Sequence, residues 1–377
     1  MKPYVRFFVL CAAVTALIFT ACGKEAEAIP SSAAPVMVTE APTQPPTQPP
    51  TEPPTEPPTE PLPVFTQRQW QTKLEGVDVA TWTLEDETVY ILRDELLAAT
   101  GMAPEALTQI PVEGQGGLKY VPLEPVVQAM GWPVWEDTEY ATTYITPSAA
   151  PLVTTENVQV PVLMYHAVSD DIWGIEELFV SPSDMEAQLA YLVENGYDPI
   201  WFEDLHHLED YDKPVILTFD DGYTDNYTEL LPLLQKYNVK ATVFIIAGYM
   251  GSSNKMTEQQ VAEMASTGLV SIQSHAMTHE HLDLMNEQTL VYELEQSRTV
   301  LTRLTGKLVS VLCYPTGRHN DLTLEVARRY YSFGLIMNGG MYETQDDPFT
   351  VSRYYISRYT DLGTFASYVE EAGAPAR

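Results

Sequence analysis

Pro214-Val215-Ile216-Leu217-Thr218-Phe219 carries no charge, and Asp220-Asp221-Gly222 follows it directly. A continuous apolar run, rather than an alternating one, is what a strand buried on both faces requires. Upstream of it, residues 160–165 read as a strand. Residues 183–194 read as an amphipathic helix, with serine capping and Gly196 just past the end. Downstream, 225–237 reads as helix, 240–246 as strand, 257–266 as helix and 269–273 as strand. A long helix over 286–305 stops at Gly306, and 308–314 is the next strand. Strand–helix alternation joined by crossover helices demands a parallel sheet. The roughly 220 residues involved are enough to close that sheet into a barrel.

The polar residues fall at one edge of this sheet. Asp220 and Asp221 follow the strand 214–219, His275 and His279 follow 269–273, and Tyr314-Pro315-Thr316-Gly317 follows 308–314. All three sets therefore lie at carboxyl ends of strands, where parallel α/β folds build their active sites. Two adjacent carboxylates at the mouth of a sheet are costly unless a cation neutralises them. His275-Ala276-Met277-Thr278-His279 offers two imidazoles four residues apart, able to grip one ion from a helical turn or a tight loop. Two His and one carboxylate, with a position left for water, is a catalytic rather than a structural metal set. Such a metal acidifies water and polarises a carbonyl, and the second Asp is then free to act as general base. Taken singly, paired Asp also cap helices and a His pair also merely hydrogen-bonds. It is the combination on three strand ends that points to a metal.

Thr218-Phe219-Asp220-Asp221-Gly222 followed by Ser274-His275-Ala276-Met277-Thr278-His279 resembles the polysaccharide deacetylases of carbohydrate esterase family four. Val162-Leu163-Met164-Tyr165-His166-Ala167-Val168 is similar to the branch containing poly-N-acetylglucosamine deacetylases. The resemblance spans about residues 158–372. It implies a distorted (β/α) barrel and metal-dependent deacetylation of a glycan containing N-acetylglucosamine. By position it makes Asp220 the catalytic base, and Asp221, His275 and His279 the ligands of a divalent metal, zinc by expectation. The Thr316 N–H becomes the oxyanion donor. Two departures stand out. Cys313 replaces an Arg that often precedes the third motif, and Arg353 or Arg358 is the candidate to supply the lost charge. The late His that serves as general acid is absent, since no His follows His319, and His166 is the candidate substitute. His281 and His319 read as loop residues. Trp173 and Trp201 are candidates to stack on sugar, with core packing as the alternative. The competing functions are an O-acetyl xylan esterase and a non-catalytic glycan-binding surface protein with a degenerate site.

The rest of the chain reads as an address, a stalk and a small domain. Lys2 and Arg6 precede an apolar run over 7–21 that is too short for a comfortable membrane span. Residues 1–22 thus read as a signal peptide of lipoprotein type, with Cys22 as the lipidated, membrane-anchoring residue and Phe19 as a departure from that pattern. Residues 23–65 read as a Pro/Thr/Glu-rich linker that from Thr43 to Pro61 cycles through Thr-Gln-Pro-Pro and Thr-Glu-Pro-Pro, and proline at that density forbids helix and sheet, leaving an extended spacer. Residues 66–150 read as a small α+β domain with an internal repeat. The run 90–101 recurs at 120–131 as strand, short helix and stopping Gly, and a hairpin follows around Glu136-Asp137. This pattern resembles the amino-terminal domain of copper amine oxidases, without implying a metal: no His precedes His166 in the chain. The expected location is the cell surface or the extracellular space. Against 20 Lys+Arg stand 52 Asp+Glu, which excludes nucleic acid as the main partner. With a leader removed, Cys313 is the only thiol besides Cys22, so it reads as a small buried hydrophobe.

Overall fold

A computed structural model describes residues 64–154 and 157–370. The leader, Cys22 and the Pro-rich stretch lie outside the described residues. Among the described residues no helix is long and apolar enough to cross a membrane.

Eight strands make one wholly parallel sheet: β1 (Val162–Tyr165), β2 (Asp198–Ile200), β3 (Pro214–Phe219), β4 (Ala241–Ile245), β5 (Val270–Ser274), β6 (Val311–Cys313), β7 (Phe333–Leu335) and β8 (Tyr354–Tyr355). Their order is β7-β6-β5-β4-β3-β1-β8, with β2 pairing the first half of β3. The sheet curls until its ends meet. Val351 bridges Leu335 in parallel, and the Arg353 N–H donates to the Asn338 carbonyl at 3.0 Å. The segment that continues into β8 therefore closes the expected distorted (β/α) barrel. Every residue of β1, β4 and β5 is buried, which is why these strands read as unbroken apolar or small-polar runs. Helices α1 (Pro182–Glu194), α2 (Leu231–Tyr237), α3 (Glu258–Ser266), α4 (Glu287–Thr305), α5 (Asp321–Ala327) and α6 (Leu362–Glu370) connect and follow the strands. Helices α1, α3, α4 and α5 start where a side chain takes an orphan N–H. Ser181 accepts from Asp184, Thr257 forms a capping box with Gln260, Asn286 accepts from Thr289, and at α5 it is Asn320 that accepts from Thr323.

Two expected elements differ in the structure. The helix expected over 225–237 opens as a single π turn, Asn226–Leu230, before α2 begins. Pro232 has no N–H to give back along the helix, and the Asn226 side chain is turned to the His166 carbonyl instead. The strand expected over 308–314 shrinks to β6, because the Gln273 side-chain carbonyl takes the N–H groups of Ser310 and Val311 at 3.0 and 2.9 Å.

The small amino-terminal part keeps the repeat. Val89–Leu92 leads into helix Arg93–Thr100, and Leu118–Pro122 leads into Leu123–Met130. Gly101 and Gly131 end these helices in left-handed conformation. The hairpin is shifted from its expected place: Glu136 and Asp137 lie within its first strand, Val134–Asp137, and pair with Thr143 and Thr142 of Thr142–Ile145. The turn falls beyond them, where the Asp137 carboxylate accepts from the Glu139 N–H. This part and the barrel belong to one compact unit rather than to separate bodies. The Arg303 guanidinium at the end of α4 binds Asp137 at 2.6 and 2.9 Å and Glu139 at 2.9 Å. Leu308 and Tyr144 share a small apolar cluster.

Candidate active site

The loops after β1, β3, β5 and β6 converge on a cavity of about 680 Å³, lined by His166, Asp220, Asp221, Tyr223, Lys255, His275, Thr278, His279, Thr316 and Tyr355 among others. The expected catalytic and metal residues, Asp220, Thr316, His166, Asp221, His275 and His279, thus all lie on the walls of the same cavity. The turn after β3 sets the two carboxylates apart. Asp220 ends the run in extended register, its N–H donating to the Tyr165 carbonyl at 2.9 Å. Asp221 and Gly222 then adopt φ of 75° and 64°. A left-handed aspartate is a costly conformation that the surrounding structure has to hold.

Asp221 is oriented toward the two imidazoles. Its Oδ1 lies 3.5 Å from His275 Nε2 and 3.3 Å from His279 Nε2. That oxygen is buried with no hydrogen-bond partner. The three donor atoms lie within 4.8 Å of one another. His275 Nδ1 sits 2.7 Å from the Cys313 carbonyl. A carbonyl only accepts, so Nδ1 carries a proton and Nε2 is the nitrogen that faces the cavity. Burial works against the charged ring, but Cys313 and Asp221 outweigh it and raise its pKa, so a bound ion would take the place of the Nε2 proton. A buried carboxylate oxygen left unpaired between two imidazole nitrogens fits a divalent cation, and the nitrogen–oxygen donor set suits zinc and its neighbours. Burial would raise the Asp221 carboxyl, but His275 and Lys255 overcome it and hold the group far below the usual carboxylate range. Burial and the neighbouring His275 bring His279 down to about 4, which keeps it neutral and available as a ligand.

Asp220 is held by a different partner. Arg353 is fully buried and clamps it with two hydrogen bonds of 2.8 and 2.9 Å. The same guanidinium reaches Cys313 Sγ at 3.2 Å and the Ile336 carbonyl at 3.1 Å. The Arg358 guanidinium faces Glu176 instead, its Nε 3.8 Å from that carboxylate, so Arg353 is the residue that compensates for Cys313. Burial raises the Asp220 carboxyl, yet the Arg353 charge outweighs it and the net shift is downward. Thr316 is exposed at the cavity with φ of 58°. The two hydrogen bonds of its turn, Gly317 N–H to the Tyr314 carbonyl and Arg318 N–H to the Pro315 carbonyl, do not use the Thr316 N–H. His166 is buried with an unpartnered Nδ1, and burial pushes its pKa down against the pull of Asp220 and Asp221.

The remaining expectations separate. Trp201 is structural: its indole N–H donates to the Ala241 carbonyl at 3.0 Å, at the amino end of β4 and away from the cavity. Trp173 is 41% exposed and meets Tyr223 edge-on at 4.7 Å, on the cavity rim. His319 bonds the Gly317 carbonyl. Lys255 was not foreseen; its ammonium lies 3.8 Å from Asp221 Oδ2 and 3.6 Å from the centre of the Tyr223 ring. It comes from an aperiodic loop, where sequence offers no signal.

Comparison with known proteins agrees with this geometry. The polysaccharide deacetylase family matches residues 208–331. The Bacillus subtilis protein YxkH, which bears a polysaccharide deacetylase name, is 31% identical over 229 residues, 59% of this chain and 80% of that protein. The poly-beta-1,6-N-acetyl-D-glucosamine N-deacetylase of Staphylococcus aureus is 28% identical over 181 residues, 43% of this chain and 62% of that enzyme. Among solved structures, a polysaccharide deacetylase from Bacillus cereus aligns with a TM-score of 0.55 at 27% identity, over 78% of this chain and 76% of the other. The Streptococcus pyogenes deacetylase PplD, solved with acetate, aligns with a TM-score of 0.54 at 27% identity, over 57% of this chain and 99% of the other.

Proposed function

This chain belongs to the polysaccharide deacetylase family, and we propose that it removes N-acetyl groups from an N-acetylglucosamine polymer at the cell surface with the help of a divalent metal, zinc by donor set. The observation that carries the reading is the unpaired, buried Asp221 Oδ1 facing two imidazole nitrogens beside an Arg-clamped second carboxylate in one cavity. The similarity to the Staphylococcus aureus enzyme supports the choice of polymer. An outer-surface location and anchoring through a lipidated Cys22 rest on the sequence of residues 1–22.

Asp221, His275 and His279 would hold the ion, which supplies carbonyl polarisation and acidification of water. Asp220 takes the proton of the attacking water. Its carboxylate stays ionised because Arg353 stabilises the charge that burial opposes. The Thr316 N–H, unused by its own turn, donates to the oxygen that gains charge as water adds to the acetamide carbon. The C–N bond then breaks, the amine leaves with a proton, and acetate is released. We assign that proton to His166, which faces the same cavity. Burial disfavours its charged form, so this assignment makes the rate fall as pH rises through a value below the ordinary imidazole value of about 6.5.

Acetate release from oligomers of N-acetylglucosamine tests the reading. Release that is abolished by a chelator, restored by zinc and reduced at least about a thousandfold in Asp220→Asn supports it. No release with any divalent metal would leave a glycan-binding protein, and release from acetylated xylan alone would make it an O-acetyl esterase. A basic limb at or above 6.5 removes His166 from the acid role.

A further inference from the structure

We infer that Glu293, on α4, is a positioning residue for the metal site: its carboxylate fixes the loop between the two histidines and so sets where His279 presents its nitrogen. Glu293 is 3% exposed. One of its oxygens accepts from the N–H groups of Met277 and Thr278 at 2.9 and 3.0 Å, and the other accepts from the Thr278 hydroxyl at 2.8 Å. A buried carboxylate spends both oxygens here on three consecutive donors of one short loop.

The loop requires such a hold. Ala276 and His279 have φ of 61° and 58°, a left-handed conformation that a non-glycine residue keeps only when its surroundings impose it. Met277 is gripped from the other side as well, because its carbonyl accepts the Gly248 N–H at 3.0 Å. A Cβ at Gly248 would stand 2.5 Å from that carbonyl oxygen, so only glycine allows this approach. The two imidazoles differ in what orients them. His275 has its own anchor in the Cys313 carbonyl. His279 is more exposed, and the structure gives its ring no such bond beyond its approach to Asp221. The placement of His279 therefore depends on the loop backbone, and the loop backbone depends on Glu293. Partners of this kind behind metal ligands typically govern affinity by about ten- to hundredfold.

This inference rests on the metal reading of Asp221, His275 and His279, and the experiment keeps the two apart. Zinc affinity is measured by chelator competition on the chelator-stripped full chain, together with the visible spectrum of the cobalt-loaded protein and the thermal midpoint without metal. For the wild type, binding of one ion is expected; no binding overturns the metal reading itself. Glu293→Ala should bind zinc about ten- to hundredfold more weakly, with a cobalt spectrum shifted toward that of His279→Ala. Glu293→Gln, which retains an acceptor oxygen for the two N–H groups, should recover most of the affinity. Wild-type zinc affinity and an unchanged cobalt spectrum in folded Glu293→Ala would overturn the inference. Should that variant not fold, Thr278→Val decides: weaker zinc binding with little change in the metal-free midpoint supports the anchor, and unchanged binding refutes it.

Discussion

Two arginine–carboxylate pairs hold opposite ends of the barrel, and their chemistry is alike while their surroundings are not. At the carboxyl ends of the strands, Arg353 clamps Asp220 with both partners buried, at 0 and 4% side-chain exposure. At the far end, Arg303 clamps Asp137 with equally short bonds, but its own side chain is 29% exposed and it shares itself with the exposed Glu139. Removing two charges fully from water costs several kcal/mol per ion before their attraction returns any of it. A fold has no structural reason to accept that cost where an apolar pair would serve. The buried pair makes sense because the site needs an ionised carboxylate in a dry cavity. The outer pair sits where water still screens it, and its job is adhesion between the small amino-terminal part and α4.

The largest effect should follow from breaking the inner pair. Arg353→Met leaves Asp220 buried and uncompensated, a change that typically costs about 3–5 kcal/mol of stability. It also removes the charge that holds the Asp220 carboxyl down, so the carboxyl rises. The acid limb of the pH–rate profile then moves to higher pH, and acetate release at neutral pH falls at least about a hundredfold. A variant with wild-type midpoint and an unmoved acid limb would show that the pair does not support the base.

Arg303→Met, by contrast, should cost about 1–3 kcal/mol, the worth of a charge-assisted pair in partial contact with water. Acetate release from short soluble oligomers should stay within about twofold of wild type, because none of the cavity walls includes Arg303. A collapse of activity comparable to that of Arg353→Met would erase the distinction between the two ends.

How far the sequence reveals this contrast depends on what each residue's neighbours are. An apolar run followed at once by Asp220 and Asp221 declares both a buried strand and the edge on which chemistry sits, and His275 and His279 repeat the statement two strands later. Strand order then brings them together, since β3, β4 and β5 are adjacent. Arg353 was legible only as a missing charge. Arg353 and Arg358 were equal candidates until the bridge at Val351 showed which one barrel closure brings to Asp220. Glu293 resembles the surface acids of its helix, Glu287 and Glu295. Its one signal is its place in the buried stripe of Leu290, Leu294, Ser297 and Leu301. The π turn and the shortened β6 depend on single side chains, Asn226 and Gln273, competing with backbone partners, and periodicity carries no trace of such competition.

The smallest effect sharpens the comparison from within the site. Asp225 lies five residues beyond Asp220 and is also buried, but the cation acting on it is the Lys255 ammonium rather than a clamping arginine. It accepts the Val168 N–H at 2.9 Å and the Asn226 side-chain N–H at 3.1 Å. Burial prevails over those bonds and lifts its carboxyl to about 6, the direction opposite to Asp220. Because the folded value lies above the unfolded one, the folded chain binds this proton more tightly. The stability it confers is complete below about pH 4 and is lost as pH rises through about 6. Two pKa units correspond to about 3 kcal/mol at most. Asp225→Asn keeps an acceptor for Val168 and removes the titration. Denaturant unfolding of the chelator-treated protein at pH 4.5 and 7.5 should therefore show a smaller fall in stability across that interval for the variant than for wild type, with the variant the more stable at the higher pH. Equal pH dependence in the two proteins would mean that Asp225 is compensated by a charge that plays Arg353's part, and the inner pair would no longer be the exception that marks the base.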